Sequence, residues 1–195
     1  TNSTLSLDTS SIFGNSVDGS GGGIASSDNA TLNIFASTIA FNEATGTNGK
    51  GGGISNGNTA TATIENSTIS TNSASSEGGG LFADTTMTNV TLNFTTIVSN
   101  TATTAGGGIA NTNTITNVLV KNSILGDNTN TSAPDCSGKV EMYFSGLLSN
   151  QTGCDVTFTR PSNQGYIYQD VPANLAPLAD NGGATLTHKP LPTSQ

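Results

Sequence analysis

The chain has 195 residues, 24 of them Gly, with 9% charged, 33% hydrophobic and no Trp. That length holds one domain or two small ones, and its Thr, Ser, Asn and Gly with regularly spaced Ile and Leu suit short strands and tight turns, excluding a helical bundle. A net charge of −8 with only five basic residues (Lys50, Lys121, Lys139, Arg160 and Lys189) argues against nucleic acid and anionic membranes as partners.

No apolar run approaches the roughly 20 residues of a membrane span, so no membrane insertion is expected. The sequence opens on Thr1 rather than Met, which reads as a processed start or a cut within a longer chain.

From the first residues a repeat is visible. One motif reads apolar-x-apolar, four residues, apolar-x-x-Asn. Its instances are Leu5, Leu7, Ile12, Asn15; Leu32, Ile34, Ile39, Asn42; Ala62, Ile64, Ile69, Asn72; Val90, Leu92, Ile97, Asn100; and Val118, Val120, Leu125, Asn128. The Asn residues are separated by 27, 30, 28 and 28 positions. In phase with it run Gly21-Gly22-Gly23-Ile24, Gly51-Gly52-Gly53-Ile54, Gly78-Gly79-Gly80-Leu81 and Gly106-Gly107-Gly108-Ile109. A unit of about 28 residues cannot bury its own apolar face, but copies stacked on one another can.

The spacing of Leu32 and Ile34 places both on one side of a strand. The odd interval to Ile39 requires a bend, since a straight strand would turn that residue outward. The Gly-Gly-Gly-apolar segment supplies a third strand, entered through a turn where Gly tolerates positive φ. Three strands with bends, repeated in register, predict an all-β fold: a parallel β-helix, taken as right-handed. At the bend, Asn15, Asn42, Asn72, Asn100 and Asn128 are expected to form a structural ladder of amides satisfying stranded backbone groups; a polar binding strip is the other reading.

Residues 1–130 thus form the repeats. Residues 131–155 lose the register and read as an irregular last coil. It contains Cys136 and Cys154, 18 positions apart, read as a disulfide that implies an oxidising compartment. Two free thiols are the alternative; a zinc site is poorly supported with one His and no CxxC. Residues 156–195 carry Pro161, Pro172, Pro177, Pro190 and Pro192, which predicts an extended tail instead of another regular coil. That tail could cap the last coil, fold back along the side or reach a neighbouring molecule. The three segments make a single domain.

The paired Gly-Gly-x-Ile and Ile-x-x-Asn signals resemble the repeats of polymorphic outer-membrane proteins, with Ile or Leu where Phe is usual. Asn122-Ser123-Ile124-Leu125, Asp135-Cys136-Ser137-Gly138, Gly153-Cys154 and Leu175-Ala176-Pro177-Leu178-Ala179-Asp180-Asn181-Gly182-Gly183, followed by Thr185, Thr187, His188, Leu191 and Pro192, resemble bacterial choice-of-anchor Q surface proteins more closely. The resemblance spans nearly the whole chain and implies a β-helix displayed at a bacterial surface. Such relatives continue into a Ser-Pro-Ala-Ile-Asp-like segment and a separate anchor.

Chemistry has few candidates. A glycosidase needs two carboxylates about 5 to 10 Å apart. The best aligned set is Asp8, Phe35, Glu65, Asn93 and Lys121, with its two acids two coils apart. His188 and Arg160 are isolated in the tail, and His188 reads as a packing or hydrogen-bonding residue rather than a general base. Asp127 and Asp135 flank a turn without the spacing of a Ca²⁺ loop. The outward pairs Thr4/Ser6, Thr31/Asn33, Thr61/Thr63, Asn89/Thr91 and Asn117/Leu119 form too irregular a ladder for an ice-binding face. Seven Asn-x-Ser/Thr sequons, among them Asn2, Asn29, Asn66 and Asn150, follow from composition.

The expectation is a non-catalytic extracellular structural protein without cofactors or a metal: a cell-surface or fibre β-helix that self-associates head-to-tail. The alternative is an adhesin that binds glycans, surface proteins or host cells; an ice-binding protein or a polysaccharide-active enzyme fits less well.

Overall fold

A computed structural model describes residues 2–86, 89–115, 118–159 and 165–194. The first coil comprises β1 (Thr4–Asp8), β2 (Ser11–Phe13), β3 (Ser16–Val17) and β4 (Ile24–Ser26). The second repeats it as β5 (Thr31–Phe35), β6 (Thr38–Ala40), β7 (Glu43–Ala44) and β8 (Ile54–Asn56). The third is β9 (Thr61–Glu65), β10 (Thr68–Ser70), β11 (Ser73–Ala74) and β12 (Leu81–Ala83). The fourth is β13 (Asn89–Asn93), β14 (Thr96–Val98), β15 (Thr101–Ala102) and β16 (Ile109–Asn111). Beyond it lie β17 (Val118–Gly126), β18 (Cys136–Leu148), β19 (Cys154–Thr159) and β20 (Ile167–Gln169). Among the described residues every pairing of these strands is parallel, and there is no helix.

This is the predicted parallel β-helix, with one addition. Each of the first four coils has a fourth, two-residue strand just after the Asn bend, and β3, β7, β11 and β15 form their own sheet. Two residues leave no periodicity to read, so this ladder has no signature in the sequence.

Register explains the core. Leu5, Leu32, Ala62, Val90, Val118, Val140 and Val156 lie in one inward column. Leu7, Ile34, Ile64, Leu92, Val120, Met142 and Phe158 form the next. Ile12, Ile39, Ile69, Ile97, Leu125 and Leu148 form a third across the bend. A fourth holds Ile24, Ile54, Leu81, Ile109 and Cys136. Ile39, Ile54, Ile64, Ile69, Leu81, Leu92, Ile97 and Ile109 are wholly buried, each stabilising the fold by about 1.5–3 kcal/mol.

The coils shorten toward the C-terminus. Val90 to Val118 is one full turn of 28 residues, Val118 to Val140 takes 22 and Val140 to Val156 only 16. Residues 156–195, expected to be an extended tail, begin instead with paired strands. β19 pairs with β18 through Thr159, and β20 pairs with it at Gly146–Leu148, so residues 154–159 and 167–169 continue the stack. Neither strand contains Pro, which removes the obstacle. Pro161 and Arg160 lie outside the described residues.

The Pro-containing segment proper begins at Asp170 and folds back along the side. Leu175 bridges Pro190 and Ala179 bridges Thr187 in antiparallel fashion, giving a narrow hairpin that turns at residues 180–186. We call this hairpin the strap. It reaches coil five where Ala173 N donates to Asp127 Oδ1, and coil two where Thr38 Oγ1 donates to Leu186 O at 2.6 Å. Outward-facing Thr38, Ala40, Ser70 and Val98 are buried, and they are small. Phe13, in the same face of coil one, remains 51% exposed.

Candidate functional site

The repeated Asn residues form one continuous device. Each follows a residue with positive φ: Gly14, Phe41, Thr71, Ser99 or Asp127. The side-chain oxygen of each Asn from Asn42 to Asn128 accepts both the backbone N–H and the amide N–H of the Asn one coil earlier, at 2.9–3.1 Å. Their amide nitrogens also donate to Ile12, Ile39, Ile69 and Ile97 carbonyls, each at 3.0 Å. Asn42, Asn72 and Asn100 are fully buried, so these bonds replace water altogether.

The glycine triplets belong to the same corner, and only the first Gly of each needs its special backbone. Gly21, Gly51, Gly78 and Gly106 have positive φ. At the second position close approach decides: a Cβ would lie 2.4 Å from Gly52 O at Gly22, 2.3 Å from Ser73 O at Gly52, 2.3 Å from Thr101 O at Gly79 and 2.4 Å from Pro134 O at Gly107. The third glycines, Gly23, Gly53, Gly80 and Gly108, abut the amides of Asn42, Asn72, Asn100 and Asn128. Triplet and Asn are therefore complementary halves of one packed seam.

Where the glycine column ends, Asp135 replaces it and terminates the ladder. Its Oδ1 accepts Asn128 N and Nδ2 at 3.1 and 2.9 Å, while Oδ2 accepts Ser149 Oγ and Asn150 N, both at 2.7 Å. Burial pushes its carboxyl above the ordinary value, against these four bonds. The next residue, Cys136, occupies an Ile position in the core and is disulfide-bonded to Cys154. The predicted bridge is thus present; it suits a non-reducing, extracellular environment.

A second ladder went unread. Ser10 N donates to Ser37 Oγ, Ser37 N to Ser67 Oγ and Thr95 N to Ser123 Oγ, at 2.9–3.1 Å. Its signature is Ser or Thr two residues before each Ile12-type position, hidden by the abundance of both residues.

Asp8, Phe35, Glu65, Asn93 and Lys121 do share one outward column, continued by Tyr143. Phe35, 46% exposed, separates the two carboxylates, which lie two coils or about 9–10 Å apart by strand spacing. The Thr rows align as expected, with Thr4, Thr31, Thr61 and Asn89 in one column; Asn117 lies outside the described residues. Lys50, unassigned from sequence, sits 2.8 Å from Glu77 and over the Phe82 ring at 4.6 Å.

His188 locks the strap. Its Nδ1 donates to Ala176 O at 2.7 Å, which leaves Nε2 to accept the Ser70 hydroxyl at 2.8 Å in the neutral ring. Burial pushes its pKa below the usual histidine value, only partly offset by the Ala176 bond. No family model, curated protein or solved structure matches this chain.

Proposed function

We propose that this chain is a non-catalytic structural β-helix of the bacterial cell surface or an extracellular fibre, built to stack head-to-tail. The observation that carries the reading is the state of the column ends. Leu5 is 45% exposed where Leu32, next in its column, is 1% exposed. Leu7 and Ile12 are only partly buried at this end, as are Val156, Phe158 and Ile167 at the other.

Among the described residues, the terminal strands β1 and β19 each pair on one side only; solenoids cover such edges with flanking sequence or with a further copy, and the reading here is a further copy. β1 and β19 occupy the same columns, so one strand spacing of about 4.8 Å along the axis sets Leu5 over Val156 and Leu7 over Phe158 of a second copy. That heterologous contact does not close on itself, and its product is a filament. Because β19 and β20 continue only the β1 and β2 columns, the junction engages those sides, and the β3 and β4 sides overhang. The Asp135-Cys136-Ser137-Gly138 and Asp180-Asn181-Gly182-Gly183 motifs support the bacterial surface origin.

Negative-stain imaging and sedimentation at rising concentration test this. Filaments are expected from the native sequence. Leu5→Lys should give single rods with unchanged circular dichroism, since an already exposed site loses little packing. Single rods from the native sequence at every concentration would overturn the stacking. Turnover of any member of a polysaccharide panel would overturn the non-catalytic reading.

A further inference from the structure

One corner carries side chains that folding does not explain. The bend between the first and second strands of each coil is made by Thr9, Ala36, Asn66, Phe94 and Asn122, with φ between 47 and 50°. Asn tolerates this left-handed backbone because its short side chain bonds locally, whereas a bulky residue there is strained. Phe94 bears that strain and is also 57% exposed, so its ring gains little burial in return. Backbone strain retained without structural benefit gathers at functional sites.

Phe94 stands at one wall of an open groove of about 510 Å³, within the range of roughly 300–1,000 Å³ typical of ligand pockets. Tyr166, 72% exposed, and Tyr168, 43% exposed, line the same groove, with Asn122, Ser145 and Gly165. Gly165 has φ +65 and leaves space that the Ser145 hydroxyl occupies. The Ser123 hydroxyl beneath is committed to Lys121 O and Thr95 N.

Among the described residues the lining contains three aromatic rings, Ile124 and Leu147, an amide and hydroxyls, and no Asp, Glu, Lys, Arg or His. In a chain of net charge −8, an uncharged groove selects against ions of either sign. Flat rings flanked by neutral hydrogen-bonding groups complement a ligand that is apolar on its faces and hydroxylated on its rim. A pyranose has that form: its C–H face meets the electron-rich ring face, and its equatorial hydroxyls reach the polar groups around it.

We propose that this groove binds a neutral, pyranose-based glycan, with Phe94, Tyr166 and Tyr168 as stacking platforms and Asn122 and Ser145 as hydroxyl partners. A proline-rich peptide also docks in aromatic grooves, but nothing in the lining recognises a peptide's charged flanks, and the neutral sugar is favoured. This site is independent of end-to-end stacking.

The test is titration of the full chain with neutral β-linked glucose, mannose, galactose and N-acetylglucosamine oligosaccharides, with a polyuronate, a sulfated glycan and a proline-rich peptide alongside. With no Trp and two of its three Tyr in the groove, intrinsic tyrosine emission reports binding directly. At least one neutral oligosaccharide should bind. Phe94→Asn should weaken it at least about tenfold, the loss of one stacked ring, while leaving the thermal midpoint unchanged or higher because the corner strain is relieved. The proposal is overturned if no neutral oligosaccharide binds, if a charged glycan or the peptide binds as well or better, or if Phe94→Asn leaves affinity intact.

Discussion

Replacing Asn72 by Ala measures what the amide ladder contributes at its centre. In the native chain Asn72 Oδ1 accepts Asn42 N and Nδ2, both at 3.0 Å, and Asn72 Nδ2 donates to Ile39 O and Asn100 Oδ1 at 3.0 and 2.9 Å. Truncation leaves two Asn42 N–H groups without this acceptor and withdraws a donor from the Ile39 carbonyl. All lie where no water reaches. A buried polar group deprived of its partner costs about 1–3 kcal/mol, so three of them, with partial relaxation, should cost about 3–6 kcal/mol.

Asn15→Ala is the internal control. Asn15 sits at the exposed end, and within the ladder its backbone N and Nδ2 only donate, to Asn42 Oδ1 at 3.1 and 2.9 Å. Its backbone N–H survives the substitution, so the loss should be about 0.5–1.5 kcal/mol, one ordinary hydrogen bond. Urea unfolding followed by circular dichroism, with the disulfide intact, compares the two variants at equal slope. If both shift the midpoint equally, or Asn72→Ala costs under about 1 kcal/mol, the claim that buried amides hold the coils together fails.

Three further outcomes follow from the same geometry. Gly79→Ala should destabilise the chain by several times more than Gly19→Ala in thermal melts, because its Cβ would meet Thr101 O at 2.3 Å and Gly19 meets only Val17 Cγ2 at 3.9 Å. His188 has a depressed folded pKa, so the stability it contributes is complete above its ordinary 6.5 and is lost as pH falls toward the folded value; hydrogen-exchange protection over 173–194, corrected for the intrinsic rate at each pH, should fall on acidification, and His188→Gln should flatten that dependence. Asp135 has a raised folded pKa, so its contribution is complete below 3.8 and is lost as pH rises through the folded value; the slope of denaturation midpoint against pH in that window should become more positive in Asp135→Asn.

The columns were legible because burying a coil demands an inward residue at fixed intervals. Leu32, Ile34 and Ile39 advertise their strand, its face and its bend through spacing alone. The Asn corner was legible for a similar reason, since one amide per coil must sit above the next. Other features carry no period. The strap is announced only indirectly, by outward residues that are small at Thr38, Ala40 and Ser70, because covered positions must leave room. Hydroxyls of Ser37, Ser67 and Thr95 disappear among a wealth of Ser and Thr. Asp135 looked like a turn residue, since nothing local reveals that its carboxylate ends a stack begun over a hundred positions earlier. The groove around Phe94 joins segments more than seventy residues apart, and an isolated Phe at a bend does not announce a neighbour.

The strap has a mechanical consequence. A pull along the axis of a plain solenoid peels one ring from the next, each parting at its own modest threshold. Here the hairpin is fastened at Thr38, Ser70 and Asp127, so the second to fifth rings are tied in parallel with their own seams and must release together. The first ring lies beyond the tie. Under load it can part from the second ring without releasing the strap.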